Sequence, residues 1–158
     1  MRLFIESASK QIFTEGCEFL ADIPTDLMFK SPPPFANHAA WQVGHIAVTL
    51  NFGLKALGQE LVVDKSWASL YGNGSVPSND PSGQPTVEQL IQTMNLAHMK
   101  LLNAFMGAYD AVLLADNAIE RLRERYPRNG DFVAYLLAAH AGLHFGQIAM
   151  LRKLLASV

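Results

Sequence analysis

Four segments of the chain repeat apolar residues at spacings of three and four, and no segment alternates apolar with polar residues over more than a few positions. Spacings of three and four line one face of an α-helix, whereas a half-buried strand needs a period of two. The chain is therefore predicted to be all-α. Its 158 residues are a one-domain length, so residues 1–158 are read as one unit with a substantial core. A four-helix bundle with a long helix 2–helix 3 crossover is the architecture that buries four such faces.

The first helix is predicted from about Leu3 to Leu20, with Phe4, Ile12, Phe13, Phe19 and Leu20 among its apolar positions. Pro24 and the prolines at 32–34 then enforce an extended connection. The second helix opens near Asn37 or Ala39, with Asn37 as its cap, and runs to about Leu57, where Gly58 suits a left-handed position. Trp41, His45, Val48 and Phe52 follow spacings of four, three and four, which puts His45 on the buried stripe. The connection from Gln59 to Pro85 is long for a structureless loop, so it is expected to carry function or an embedded helix near Lys65–Tyr71. Thr86 and Gln89 read as a capping box. The third helix then runs to Phe105 or Tyr109, with Leu90, Met94, Leu101 and Phe105 on one face. Ala118–Tyr126 is predicted as a short polar helix stopped by Pro127. The fourth begins near Asp131 and runs to the C-terminus, with Phe132, Leu136, His140, Leu143, Gln147, Leu151 and Leu154 on its stripe and His144 flanking.

Three of the five histidines thus fall where a helix would bury leucines. His140 and His144, four residues apart, differ by about 40° and about 6 Å along a helix, so one face presents both. A buried imidazole without partners costs about 1–3 kcal/mol per unsatisfied group. The pair together with His45 is therefore read as a metal site. Three neutral imidazoles leave coordination positions open, as catalytic sites do, whereas structural zinc sites are closed by four ligands and rich in cysteine. The run HAGLH has Ala141 where a zinc protease of the H-E-x-x-H type needs its glutamate. No carboxylate shares the stripe, so a two-histidine, one-carboxylate iron centre is unsupported. Zinc or nickel is the first expectation, with iron and manganese also tolerated by imidazole.

The other polar candidates carry two readings each. Gln147 either orients water or a ligand, or bonds a facing helix. His98 is first a buried core histidine and second a fourth ligand or a support for one. Trp41 and Trp67 line a pocket or are plain core. His38, seven residues before His45, is predicted at the entrance or surface.

Twelve basic and fourteen acidic residues give a net charge of −2, with no Lys/Arg block. Nucleic-acid binding is therefore not expected. No apolar run reaches the length of a membrane span, and MRLFIESASK lacks the apolar stretch of a signal peptide. A cytoplasmic protein is expected. The single cysteine, Cys17, has two glutamates and no cation in its run, so it is read as a structural thiol.

The runs W-Q-V-G-H-I and H-A-G-L-H-F-G-Q-I, which contain His45 and His140, His144 and Gln147, resemble the DinB-like superfamily of metal-dependent proteins, as do WASLYGNGSVPSND and the PTVEQL helix start. The resemblance covers nearly the whole chain. It implies a bundle of up-up-down-down type, often a homodimer, with a metal held by one histidine of the second helix and two of the fourth. Characterised relatives include thiol-dependent S-transferases and a maleylpyruvate isomerase. The first functional expectation is a metal-dependent enzyme, a transferase, isomerase or hydrolase acting on a small molecule with a low-molecular-weight thiol. The alternative is a non-catalytic dimeric stress-response or ligand-binding module whose metal is structural or adventitious.

Overall fold

The computed structural model describes residues 2–156, and among these it is helical with no strand. Four long helices dominate: α1 (Arg2–Ala21), α2 (Ala39–Ala56), α4 (Val87–Gly107) and α6 (Asn129–Leu155). Two short ones, α3 (Trp67–Tyr71) and α5 (Asp110–Leu114), sit in the connections. Single 3-10 turns occupy Thr25–Leu27 and Glu120–Leu122.

The helix starts follow local chemistry. Thr86 and Gln89 form the expected capping box at α4, satisfying two backbone donors reciprocally. Gly58 has φ +66°, the left-handed position expected after α2. The cap of α2, however, is His38 and not Asn37. Its Nδ1 accepts from the Trp41 backbone N–H at 3.0 Å, and its Nε2–H donates to the Ser78 carbonyl at 3.1 Å. His38 is fully buried. The expectation of a surface position fails because both ring nitrogens are consumed in fixing the start of α2 to the long connection.

Helix α2 is buried on nearly every side, packed against α3, α4 and α6, while α1 packs on α6 and α4. The inward line of α1 is Ser9, Phe13, Gly16 and Leu20; Phe4, expected among its apolar positions, is 81% exposed. Leu90, Met94, Leu101 and Phe105 of α4 are buried as predicted.

Residues 118–126, expected as a helix, make only the turn at Glu120–Leu122. The segment is held by side chains instead. Asn117 receives the Ile119 N–H and donates to the Tyr126 carbonyl, and Asn129 receives the Ala118 N–H and donates to the Val112 carbonyl. Such bonds offer the backbone an alternative to the helical ladder.

In α6 the turn Leu136–His140 is a π turn within an otherwise α-helical rod. Val133, Leu137, Ala141 and Phe145 are buried at successive spacings of four. In an uninterrupted α-helix three such steps would rotate the last side chain by about 120°. The wider π turn absorbs that drift. The buried line consequently passes to Ala141, Phe145 and Ile148, and Leu143 and Gln147 face outward, contrary to the expected stripe. By length and composition α6 is the one described helix able to cross a membrane, yet this inward line is packed into the protein core.

Candidate metal centre

His45 comes from the middle of α2, and His140 and His144 flank the end of the π turn in α6. One nitrogen from each ring lies within 4.8 Å of the others, the group among the described residues that gathers three metal-ligating side chains. The ring centroids of His45 stand 5.3 Å from His140 and 4.8 Å from His144.

The hydrogen-bond partners give a consistent assignment of which nitrogens carry protons. His45 Nδ1 lies 2.7 Å from the Tyr71 carbonyl oxygen, which only accepts, so this nitrogen is the donor. The Thr49 hydroxyl donates its single proton to the α2 backbone at 2.9–3.0 Å, leaving its oxygen to accept from His140 Nδ1 at 3.4 Å. His144 Nδ1 donates to Gln42 Oε1, with the amide oriented accordingly. Each ring therefore spends its Nδ1–H on an oxygen acceptor and keeps Nε2 as a bare lone pair. His140 Nε2 and His144 Nε2 are 3.3 Å apart, about the separation of two nitrogens bound tetrahedrally at ~2.05 Å from a zinc ion.

Electrostatics point the same way. Burial lowers the His144 pKa to about 3, with the His140 and His45 rings pushing further down and Gln147 opposing. Burial, then His45, lowers His140 to about 4. Burial also lowers His45, against the bond to Tyr71. At neutral pH the cluster is three uncharged rings with converging lone pairs. An arrangement of that kind repels itself unless a proton or a cation lies between the nitrogens. Outward-anchored Nδ1–H groups are the usual partners that orient metal-binding imidazoles. The donor set fits a divalent ion that accepts imidazole.

A cavity of about 410 Å³ opens on His45 and His140 and extends between α2, α3, α6 and the 121–126 segment. That volume falls within the range of small-molecule pockets. No Asp or Glu lines it.

The remaining sequence candidates scatter around this centre. Trp41 stacks on His45, with ring centroids 4.7 Å apart, and donates to Ser75 Oγ at 2.9 Å. It supports the ring rather than lining the cavity. His98 lies in the seam of α1 and α4, stacked on Phe13 at 3.6 Å and 2.8 Å from Ser9 Oγ; the structure does not bring it to the cluster. Gln147 is exposed beside His144. Cys17 is half-buried against Asn95, and burial raises its thiol pKa, which makes it a poor nucleophile.

Sequence reasoning missed Gln42 and Thr49. Gln42 is 1% exposed and lies three residues before His45, a polar side chain inside an apolar run. That was a readable signal. Thr49, four residues after His45, gave none, because threonine is ordinary on a helix.

A family model described as the DinB superfamily matches residues 17–148, a span that holds all three histidines and both of the oxygen-bearing side chains that anchor them. No curated protein matches the chain.

Proposed function

The chain belongs to the DinB superfamily, and from that premise we propose that it is a metal-dependent protein whose His45, His140 and His144 hold one divalent ion at the head of the cavity. The observation that carries the reading is the convergence of the three rings, one nitrogen of each within 4.8 Å of the others, with each Nδ1 facing an oxygen. Zinc or nickel heads the expected ions. Contacts of α2 with α4 and of α1 with α6 support an up-up-down-down four-helix bundle as the frame.

The activity proposed is thiol-dependent transfer or isomerisation of a small molecule. A divalent ion at this position supplies Lewis acidity and lowers the pKa of a thiol bound to it. The chain's own part is to hold three neutral donors, to orient them through Gln42, Thr49 and the Tyr71 carbonyl, and to enclose the substrate. Because no carboxylate lines the cavity, the protein offers no carboxylate base there, which favours a nucleophile that needs none. A homodimer acting on small molecules, without nucleic acid or membrane, completes the proposal. Exposed apolar residues such as Phe4, Leu143 and Met150 are surface that a second copy would cover.

Elemental analysis of purified protein tests the metal. A stoichiometric divalent ion is expected, lost in His144→Ala with the helical spectrum retained. Protein that carries no such ion, or a variant with unchanged metal content, would sink the reading. A screen of low-molecular-weight thiols against electrophilic acceptors tests the activity.

The absence of a carboxylate from the cavity lining also favours a second reading, a non-catalytic ligand-binding module. Turnover of a thiol and acceptor that disappears with the metal removes that alternative. Ligand binding that survives without the metal, and without turnover, establishes it.

A further inference from the structure

Part of the cavity lining is cationic and aromatic. Arg121 and Arg125 both line it. Arg121 rests over the Phe52 ring at 5.7 Å, and Arg125 over Tyr126 at 5.4 Å and Tyr135 at 5.7 Å. Tyr126 stacks on Tyr135 at 4.8 Å, and Tyr135 meets His140 edge-on at 5.7 Å. One continuous wall therefore runs from the Arg125 guanidinium to an imidazole of the histidine cluster.

The other arginines show what is unusual here. Arg2, Arg128 and Arg152 pair with Asp110, Asp116 and Asp22, and Arg123 donates to the Asn117 carbonyl at 2.8 Å. Among the described residues neither Arg121 nor Arg125 pairs with a carboxylate, although Glu120 and Glu124 adjoin them in sequence. The Asn117 and Asn129 hydrogen bonds fix the backbone segment that carries them. Two positive charges are held at the edge of a cavity that contains no negative one. A guanidinium with its ring-facing side occupied still presents its N–H edge to a planar anion.

We propose that Arg121 and Arg125 form an anion subsite that selects carboxylate-bearing small molecules, placing the anionic end away from the histidine cluster and the flat or apolar body along Tyr126, Tyr135 and Phe52. This deepens the proposed function by naming its substrate class, and it rests on that reading only for which end of the molecule reacts.

Cinnamate and its neutral amide, cinnamamide, are matched probes for calorimetric titration at low salt, with metal-loaded and chelated protein. Cinnamate is expected to bind more tightly than the amide in both forms. Arg121→Gln and Arg125→Gln should each weaken cinnamate about fivefold, the double variant should erase the preference, and Arg125→Lys should keep part of it. Cinnamamide affinity should not change, which shows that the cavity stays intact. If the preference is lost on chelation but survives in the double glutamine variant, the anion binds the metal and the subsite is overturned while the metal reading stands. If neither probe distinguishes the variants from the parent, the subsite is likewise overturned. An arginine-dependent preference in protein that takes up no metal keeps the subsite and removes the metal reading. Benzenesulfonate and phenyl phosphate, run as parallel arms, separate carboxylate selectivity from a general attraction to anions; tighter binding of either would overturn the carboxylate assignment.

Discussion

The Nδ1–H of His144 donates to Gln42 Oε1, joining side chains 102 residues apart in the sequence. Gln42 lies at the start of α2, three residues before His45, so one helix supplies both a ring of the cluster and the anchor of a second ring. The centre is in this sense a joint between α2 and α6. Anything that shifts one helix against the other changes the cluster.

Replacing Gln42 by Leu keeps a similar volume in a buried position but leaves the His144 N–H without an acceptor. The ring is then free to turn or to adopt the other tautomer. Metal affinity should fall about 10- to 100-fold. Competition with a chromophoric chelator measures this, and an unchanged affinity would show that the bond to Gln42 does not orient His144.

Thr49→Val gives a graded comparison. Its hydroxyl is 3.4 Å from His140 Nδ1, a weak bond by geometry, and it already serves the α2 backbone. The loss of metal affinity should therefore be smaller than for Gln42→Leu, by the same chelator competition. The reverse order would place the orienting contact at His140.

The three histidines were legible because each breaks an apolar helical period, and a spacing of four specifies a shared face. What escaped reading was geometry that arises between elements. The π turn that carries His140 has no residue signature of its own; its trace is the run of fours at Val133, Leu137, Ala141 and Phe145, which an ideal helix cannot keep on one side. His38 looked like a surface residue because its partner, the Ser78 carbonyl, lies 40 positions away. The 118–126 segment read as helical because its composition is helix-favouring, and Asn117 and Asn129 overrode that preference from outside it.

The buried rings predict a pH dependence in the metal-free protein. Burial holds the folded-state pKa of His140 and His98 at about 4 and of His144 at about 3, against 6.5 for an ordinary histidine. Above 6.5 the rings are neutral in both states and the stability they contribute is fully present. As pH falls from 6.5 towards 4 the unfolded chain takes up protons that the folded chain refuses, so stability declines across that window. The urea midpoint of chelated protein should drop on moving from about pH 7 to about pH 5, and the drop should be smaller in His144→Gln. A midpoint constant over this range would contradict the burial of the cluster.

Asn117 is fully buried and bonds both the Ile119 N–H and the Tyr126 carbonyl. Asn117→Ala leaves both groups without that partner and should cost about 1–3 kcal/mol in urea unfolding. Because the same segment carries Arg121 and Arg125, limited proteolysis should cut first between Asn117 and Arg128 in this variant. Cleavage that begins elsewhere would mean that Asn117 does not hold the segment.

Gly44 tests whether core packing and the centre are one unit. It precedes His45 in α2, and a Cβ there would overlap the ring of Tyr71, a residue that is fully buried. Tyr71 also supplies the carbonyl that receives His45 Nδ1–H. In Gly44→Ala the ring must retreat, and its backbone goes with it because α3 is only five residues long. Overpacking of this kind costs about 1–3 kcal/mol. The centre should suffer as well, since His45 loses its acceptor at 2.7 Å, and metal affinity should fall together with the unfolding midpoint. Gly16→Ala is the control: its Cβ would overlap the ring of Phe145 in the seam of α1 and α6, a side chain that supplies none of the three anchoring oxygens. Comparable destabilisation with a larger loss of metal affinity for Gly44→Ala is the expected pair of results. Equal losses of metal affinity in both variants would mean that the cluster responds to global stability and not to the Tyr71 contact.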